Sequence, residues 1–114
     1  MFEVIFFKTA SGNEPVREWL RGLDANERAV IGDDLRTVQL AFPLGMPVCR
    51  PLGSGIHEVR STLPTKKEAR LIFFQDGERL IIVCGFIKKT QTTPKAEIDS
   101  ARKRKSEYER NKSK

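Results

Sequence analysis

The 114-residue chain is poor in the residues that most enzymes use for chemistry: it has one histidine, two cysteines, one tryptophan and one tyrosine. The single histidine, His57, has no cysteines or carboxylates grouped around it at ligand spacing, so a catalytic metal is not expected. Cys49 and Cys84 do not make a disulfide scaffold. Cys84 sits in the most apolar run and reads as a reduced core thiol of a cytoplasmic protein. Cys49 lies between prolines without an evident partner base, so a cysteine nucleophile is not expected. No glycine-rich loop opens a helix, which removes support for nucleoside-triphosphate chemistry. The longest apolar run, Leu80-Ile-Ile-Val-Cys-Gly-Phe-Ile87, is far short of the roughly 20 residues that span a bilayer. The N-terminus, Met1-Phe-Glu-Val-Ile-Phe-Phe-Lys8, carries an acid at position 3 and no basic leader, so it is not read as a signal peptide. No cofactor and no membrane partner are expected.

Charge is abundant but unevenly placed. Residues 1–87 hold eleven Lys/Arg and eleven Asp/Glu, whereas residues 88–114 hold ten and four, so the whole excess of +6 lies in the last quarter. A neutral body with a basic flank points to a polyanion or to an acidic protein partner. A solvated, lysine-rich tail is the plainer reading of the same pattern.

The order of elements predicts a compact α+β domain. Phe2-Glu-Val-Ile-Phe-Phe7 reads as an opening strand. Pro15 sits in the first turn of a helix whose Val16, Trp19, Leu20 and Leu23 form one apolar stripe, and Gly22 is placed to end it. Asp24-Ala-Asn-Glu27 resembles a capping box. The helix behind it carries Val30, Ile31, Leu35 and Val38 and stops before Pro43. These two helices form an antiparallel hairpin. Residues 43–55 read as loop. A three-stranded antiparallel meander follows. Ile56-His-Glu-Val-Arg60 alternates, with Ile56, Glu58 and Arg60 on one face and His57 and Val59 on the other. Ala69–Gln75 then joins Arg79–Ile87 through an Asp76-Gly77 hairpin signal. Thr93-Pro94 reads as N-cap and first position of a basic C-terminal helix. The domain is expected over residues 1–104, with 105–114 as a basic, fraying tail.

The strand directions bring cations together. Arg60 ends one strand and Arg70 begins the next, so they meet across the loop that carries Lys66 and Lys67. Lys88 and Lys89 end the antiparallel third strand and return to the same edge. Arginine forks match phosphate oxygens, and lysine supplies a mobile point charge. Lysine among other cations holds its proton less firmly, which makes Lys88 or Lys89 a candidate acid or base. Each residue also has a structural reading. Arg60 and Glu58 can form an ion pair on a solvated face, Arg70 can bracket the core, and the lysine pair can simply end an apolar strand. His57 reads better as a partly buried polar residue than as a base.

Ile56-His-Glu-Val-Arg60, Glu68-Ala-Arg-Leu-Ile-Phe-Phe74, the Asp-Gly turn and Gly85-Phe-Ile-Lys-Lys-Thr-Gln-Thr-Thr-Pro94 together resemble the core of HigB-type toxins. These belong to the phage-derived subgroup of the RelE/ParE superfamily of type II toxin–antitoxin systems. The resemblance covers roughly residues 2–104 and implies a RelE-like fold. It also implies a metal-independent endonuclease that cuts mRNA in the ribosomal A site and so inhibits translation. The implied partners are mRNA, ribosomal RNA and a helix-turn-helix antitoxin, with DNA reached only through the antitoxin. Carried over by position, Arg60, Arg70, Lys88 and Lys89 are the implied catalytic residues. Lys66, Lys67, Lys95, Arg102 and Arg104 are the expected RNA contacts. His57, Glu58 and Tyr108 are further candidates, Tyr108 being the aromatic available where many relatives carry a base. The chain departs from the pattern at Thr92, where the family often has lysine. Two other functions stay open: a ParE-like gyrase inhibitor that cuts nothing, and a non-catalytic RNA-binding module.

Overall fold

The computed structural model describes residues 1–43, 49–89 and 92–112. Among these the chain forms β1 (Glu3–Phe6), α1 (Pro15–Arg21), α2 (Ala25–Ala41), β2 (Cys49–Gly53), β3 (Ile56–Thr62), β4 (Glu68–Asp76), β5 (Arg79–Lys88) and α3 (Lys95–Lys112). The sheet order is β1-β5-β4-β3-β2, with β1 parallel to β5 and every other pair antiparallel. The α+β architecture follows the order of elements read from the sequence.

The two consecutive helices form as the local signals predict. Asp24 and Glu27 close a reciprocal capping box, with Glu27 N–H donating to Asp24 Oδ1 at 2.9 Å and Asp24 N–H donating to Glu27 Oε1 at 3.3 Å. Val16, Ile31, Leu35 and Val38 are buried against Val59, Leu71, Phe73, Leu80 and Ile82, which places α1 and α2 on one face of the sheet. On the other face Ala101 is buried, and Ile98 and Tyr108 are half-buried, against Ile72, Phe74, Ile81, Val83 and Cys84, so that α3 covers this side. Buried phenylalanines such as Phe73 and Phe74 each contribute about 1.5–3 kcal/mol of apolar burial. Trp19 of α1 lies directly on Gly85 of β5, where a Cβ would meet Trp19 Cε3 at 2.6 Å.

The sheet departs from a simple meander in three places. First, it has five strands, because β1 adds to one edge and Cys49–Gly53 to the other. The expected loop over 43–55 is therefore partly strand, and its stretch 44–48 lies outside the described residues. Pro51 is tolerated because β2 is an edge strand and its free side needs no donor. Second, the closing pair of the β4–β5 hairpin is Asp76–Arg79, so the turn residues are Gly77 and Glu78, one position later than the Asp-Gly signal indicates. Gly77 has φ 60°, as the first central position of a type II′ turn requires. Third, the pairing of Ile72 with Cys84 and of Phe73 with Ile82 leaves Val83 as an extra residue in a β-bulge.

The bulge shifts the alternation of β5. Leu80 and Ile82 face α1 and α2, but beyond Val83 the even-numbered Cys84 and Phe86 face α3. Lys88 follows them onto the α3 face, opposite Glu68. A strand that alternated without a bulge would have turned Lys88 the other way.

The C-terminal helix also differs from expectation. It begins at Lys95, and the Pro94 carbonyl accepts the first bond, from Ile98 N–H at 3.3 Å. Thr93, expected as the cap, lies two positions before the helix, and its hydroxyl is engaged by Glu58 and Arg50 of the sheet. The helix continues past the expected boundary at residue 104 to Lys112. Tyr108 Oη donates to Asp76 Oδ2 at 2.6 Å, and Lys112 pairs with the other oxygen of the same carboxylate.

Candidate functional site

The α3 face of the sheet carries three cross-strand rows at the end remote from the Gly77 turn. Arg50, Glu58, Ile72 and Cys84 stand in register across β2, β3, β4 and β5. Arg60, Arg70 and Phe86 form the next row, and Thr62, Glu68 and Lys88 the last. Two arginines directly opposite one another repel. Two carboxylates on the same face offset that repulsion, since Glu58 and Glu68 both bind Arg70.

Glu58 is the centre of this network and is fully buried. Its Oε1 accepts from Arg50 Nε at 3.0 Å and lies 3.4 Å from Arg70 Nε. The second contact is within ion-pair range but lacks the angle of a hydrogen bond. Its Oε2 accepts from the Thr93 hydroxyl, which in turn accepts from Arg50 Nη2 at 3.3 Å. Arg70 is also fully buried. Its Nη1 donates to Glu68 Oε1 at 3.1 Å and to the Ala69 carbonyl at 3.4 Å. Arg70 Nε and Nη2 are buried and make no hydrogen bond among the described residues. The Arg70 hydrogen bond, with its charge and those of Lys88 and Arg60, holds the Glu68 carboxyl below the usual carboxylate range.

Arg60, Arg70 and Lys88 lie at one end of the sheet, as the strand directions predict, and the register sets these three on one face. Their exposure differs from a plain cationic rim: Arg60 is exposed, Lys88 is half-buried and Arg70 is enclosed. Lys89 is exposed and lies one residue beyond β5. Lys66 and Lys67 are exposed in the β3–β4 connection, with Lys66 at φ 65°. That connection is tied to the α2 capping box by a hydrogen bond between Thr65 and Glu27 at 3.4 Å, and β3 to α2 by Ser61 donating to Asp34 at 2.6 Å. Lys95 and Arg102 are exposed on α3.

Three candidates take other roles. Arg104 is not free for RNA: its Nη1 donates to the Val83 carbonyl at 2.6 Å, at the residue that the bulge leaves without a partner on β4. His57 lies on the opposite face, with its ring stacked on Phe73 and edge-on to Phe42, and burial lowers its pKa. Tyr108 lies at the hairpin end, bound to Asp76 and edge-on to Phe74. Sequence reasoning missed Arg50, Glu68 and Thr93. Arg50 is hidden because the prolines and glycines around it read as loop. Glu68 was detectable, since it precedes Arg70 by two residues and so shares its face.

Among the described residues, no three His, Cys, Asp or Glu side chains come together to hold a metal. No helix among them is long and apolar enough to cross a membrane.

The family described as "Phage derived protein Gp49-like (DUF891)" matches residues 18–106, well over half of the chain. The chain belongs to this family. The Gp49-like match contains the whole cluster, from Arg50 to Thr93, and excludes β1 and the end of α3. Gp49-like membership is consistent with a toxin of a toxin–antitoxin system. Comparison with curated proteins gives no match.

Proposed function

We propose that this Gp49-like protein is the toxin of a type II toxin–antitoxin system and acts as a metal-independent mRNA endonuclease on the ribosome. One observation carries the reading: Arg60, Arg70 and Lys88 occupy neighbouring register positions on one face at one end of the sheet. Fixed cations clustered in this way suit a phosphodiester whose non-bridging oxygens gain charge during cleavage. The 2′-OH attacks the adjacent phosphorus and gives its proton to a solvent water molecule. The P–O5′ bond breaks to leave a 2′,3′-cyclic phosphate, and the 5′-oxygen takes up a proton. In this scheme Arg60 binds the phosphate, Lys88 hands the proton to the 5′-oxygen, and Arg70 supports both from behind. Glu68, held as a carboxylate by Arg70, is a weak base and orients its cationic neighbours instead. The ribosome orients the mRNA. An antitoxin partner, carrying the DNA-binding element of the pair, completes the system.

Primer extension of cellular mRNA after induction tests this. The parent should create new 5′ ends, and the double variant Arg60→Ala/Lys88→Ala should lose them by about 100-fold or more. Parental cleavage by that variant would remove the site assignment. Intact mRNA with induced DNA damage would favour the gyrase-inhibitor reading. Unimpaired growth on overexpression would favour a non-catalytic RNA binder.

A further inference from the structure

We propose that Arg50 of β2 is a further substrate-contacting residue of this site, held in its binding pose by Glu58 and Thr93, and that it grips the phosphate backbone of single-stranded RNA. The inference rests on the phosphate-site reading above and extends it to a residue on the edge strand.

Arg50 stands opposite Glu58 in the β2–β3 register. Its Nε donates to Glu58 Oε1 at 3.0 Å and its Nη2 to Thr93 Oγ1 at 3.3 Å, while the Thr93 hydroxyl donates to the second Glu58 oxygen. The three side chains therefore close a ring of hydrogen bonds. The protein side of the guanidinium is fixed, yet the side chain remains 50% exposed. No described residue accepts from its Nη1. A mobile surface arginine loses rotamer freedom when it engages a phosphate; one already pinned at two nitrogens loses less and presents its remaining donors in a set direction.

The same carboxylate oxygen links Arg50 to Arg70, at 3.0 and 3.4 Å. Glu58 is sealed from water, so it fixes Arg50 from beneath and offers no carboxylate oxygen at the surface. Arg70 Nε and Nη2 lie buried behind it with unmet hydrogen-bonding capacity. Arg50, Arg60, Arg70 and Lys88 then span four neighbouring strands, about 4.8 Å apart. The three that reach solvent, Arg50, Arg60 and Lys88, stand in successive register rows on β2, β3 and β5, a diagonal that exceeds one phosphate and suits a chain of them. A flexible single strand can follow this diagonal phosphate by phosphate.

The experiment is fluorescence anisotropy of a labelled single-stranded RNA oligonucleotide with the isolated full chain across a salt series. Arg50→Gln keeps a donor for Glu58 but removes the charge. It should weaken binding and flatten the plot of log affinity against log salt by about 0.7, the share of one phosphate contact on a single strand. Thr93→Val keeps the charge but loosens the ring, so it should leave the slope unchanged and weaken binding several-fold. Arg50→Lys should restore the slope without restoring the affinity, because lysine lacks the fork. A parental slope in Arg50→Gln overturns the proposal, as does a parent with no affinity for RNA at low salt. Thermal unfolding of each variant identifies loss by misfolding, and Thr93→Val with Arg50→Lys then carry the test. RNA held through Arg50 but never cut would sink the nuclease reading and leave this inference standing. Cleavage with parental salt dependence in Arg50→Gln would do the reverse.

Discussion

Arg70 and Glu58 lie 3.4 Å apart, and water reaches neither side chain. A buried ion pair of this kind is a weak source of net stability, because taking both charges out of water costs nearly as much as their attraction returns. Its consequence is rigidity. Glu58 is shared by Arg50, Arg70 and Thr93, so one carboxylate fixes the edge strand, the central strand and the segment leading into α3. The cationic face is assembled around this hidden anion.

Removing one member of the network should therefore do more harm than removing the pair. Arg70→Ala leaves Glu58 and Glu68 short of a counter-charge and is expected to destabilise the fold by roughly 3–5 kcal/mol. The double variant Arg70→Met/Glu58→Leu should be less damaged than Arg70→Ala. Urea unfolding of the three proteins compares them directly. If Arg70→Ala unfolds at the parental midpoint, the buried pair is not what holds these strands together.

Acid should loosen the same region. The Glu68 carboxyl is held below its ordinary value, first by the hydrogen bond from Arg70 and then by the charge of Arg70, Lys88 and Arg60. A depressed carboxylate stabilises the fold at pH above its unfolded value of about 4.3, and that contribution is lost as pH falls through the folded value. Asp76, lowered by its hydrogen bonds from Lys112 and Tyr108, adds to the loss over the same range. The unfolding midpoint should fall as pH drops below about 5, and Glu68→Gln should fall less steeply while starting lower at pH 7. Identical pH profiles for parent and Glu68→Gln would remove Glu68 from this account.

The packing of α1 on β5 gives a third expectation. A Cβ at residue 85 would sit 2.6 Å from Trp19 Cε3 and 2.8 Å from Trp19 Cζ3, too close for any side chain. Gly85→Ala should displace the indole and cost about 1–3 kcal/mol, as overpacking of a filled core does. Trp19 is the only tryptophan, so its fluorescence reports the displacement without interference. An unshifted emission maximum and an unchanged urea midpoint would show that the ring moves aside freely.

Much of this architecture is legible in the sequence. The Asp24–Glu27 capping box, the stripe of Val16, Trp19, Leu20 and Leu23, and the alternation that sets Glu58 and Arg60 apart from His57 are short-range signals carried by spacing alone. Strand direction was enough to bring Arg60, Arg70 and Lys88 to one end of the sheet. What spacing could not show is which side chain of Lys88 and Lys89 joins them. That depends on the extra residue at Val83, which is stabilised by Arg104 from a helix 21 positions along the chain. Nor could spacing show that Arg50 faces Glu58, because β2 is a strand only by virtue of pairing with β3. The burial of Arg70 is likewise a property of the assembled sheet. A charged side chain can be enclosed only where counter-charges from other strands meet it, and Glu58 reaches it only once the register is set. Local propensity, then, determined the order of elements and the gathering of charge. Long-range pairing decided which of those charges face water and which are held beneath them.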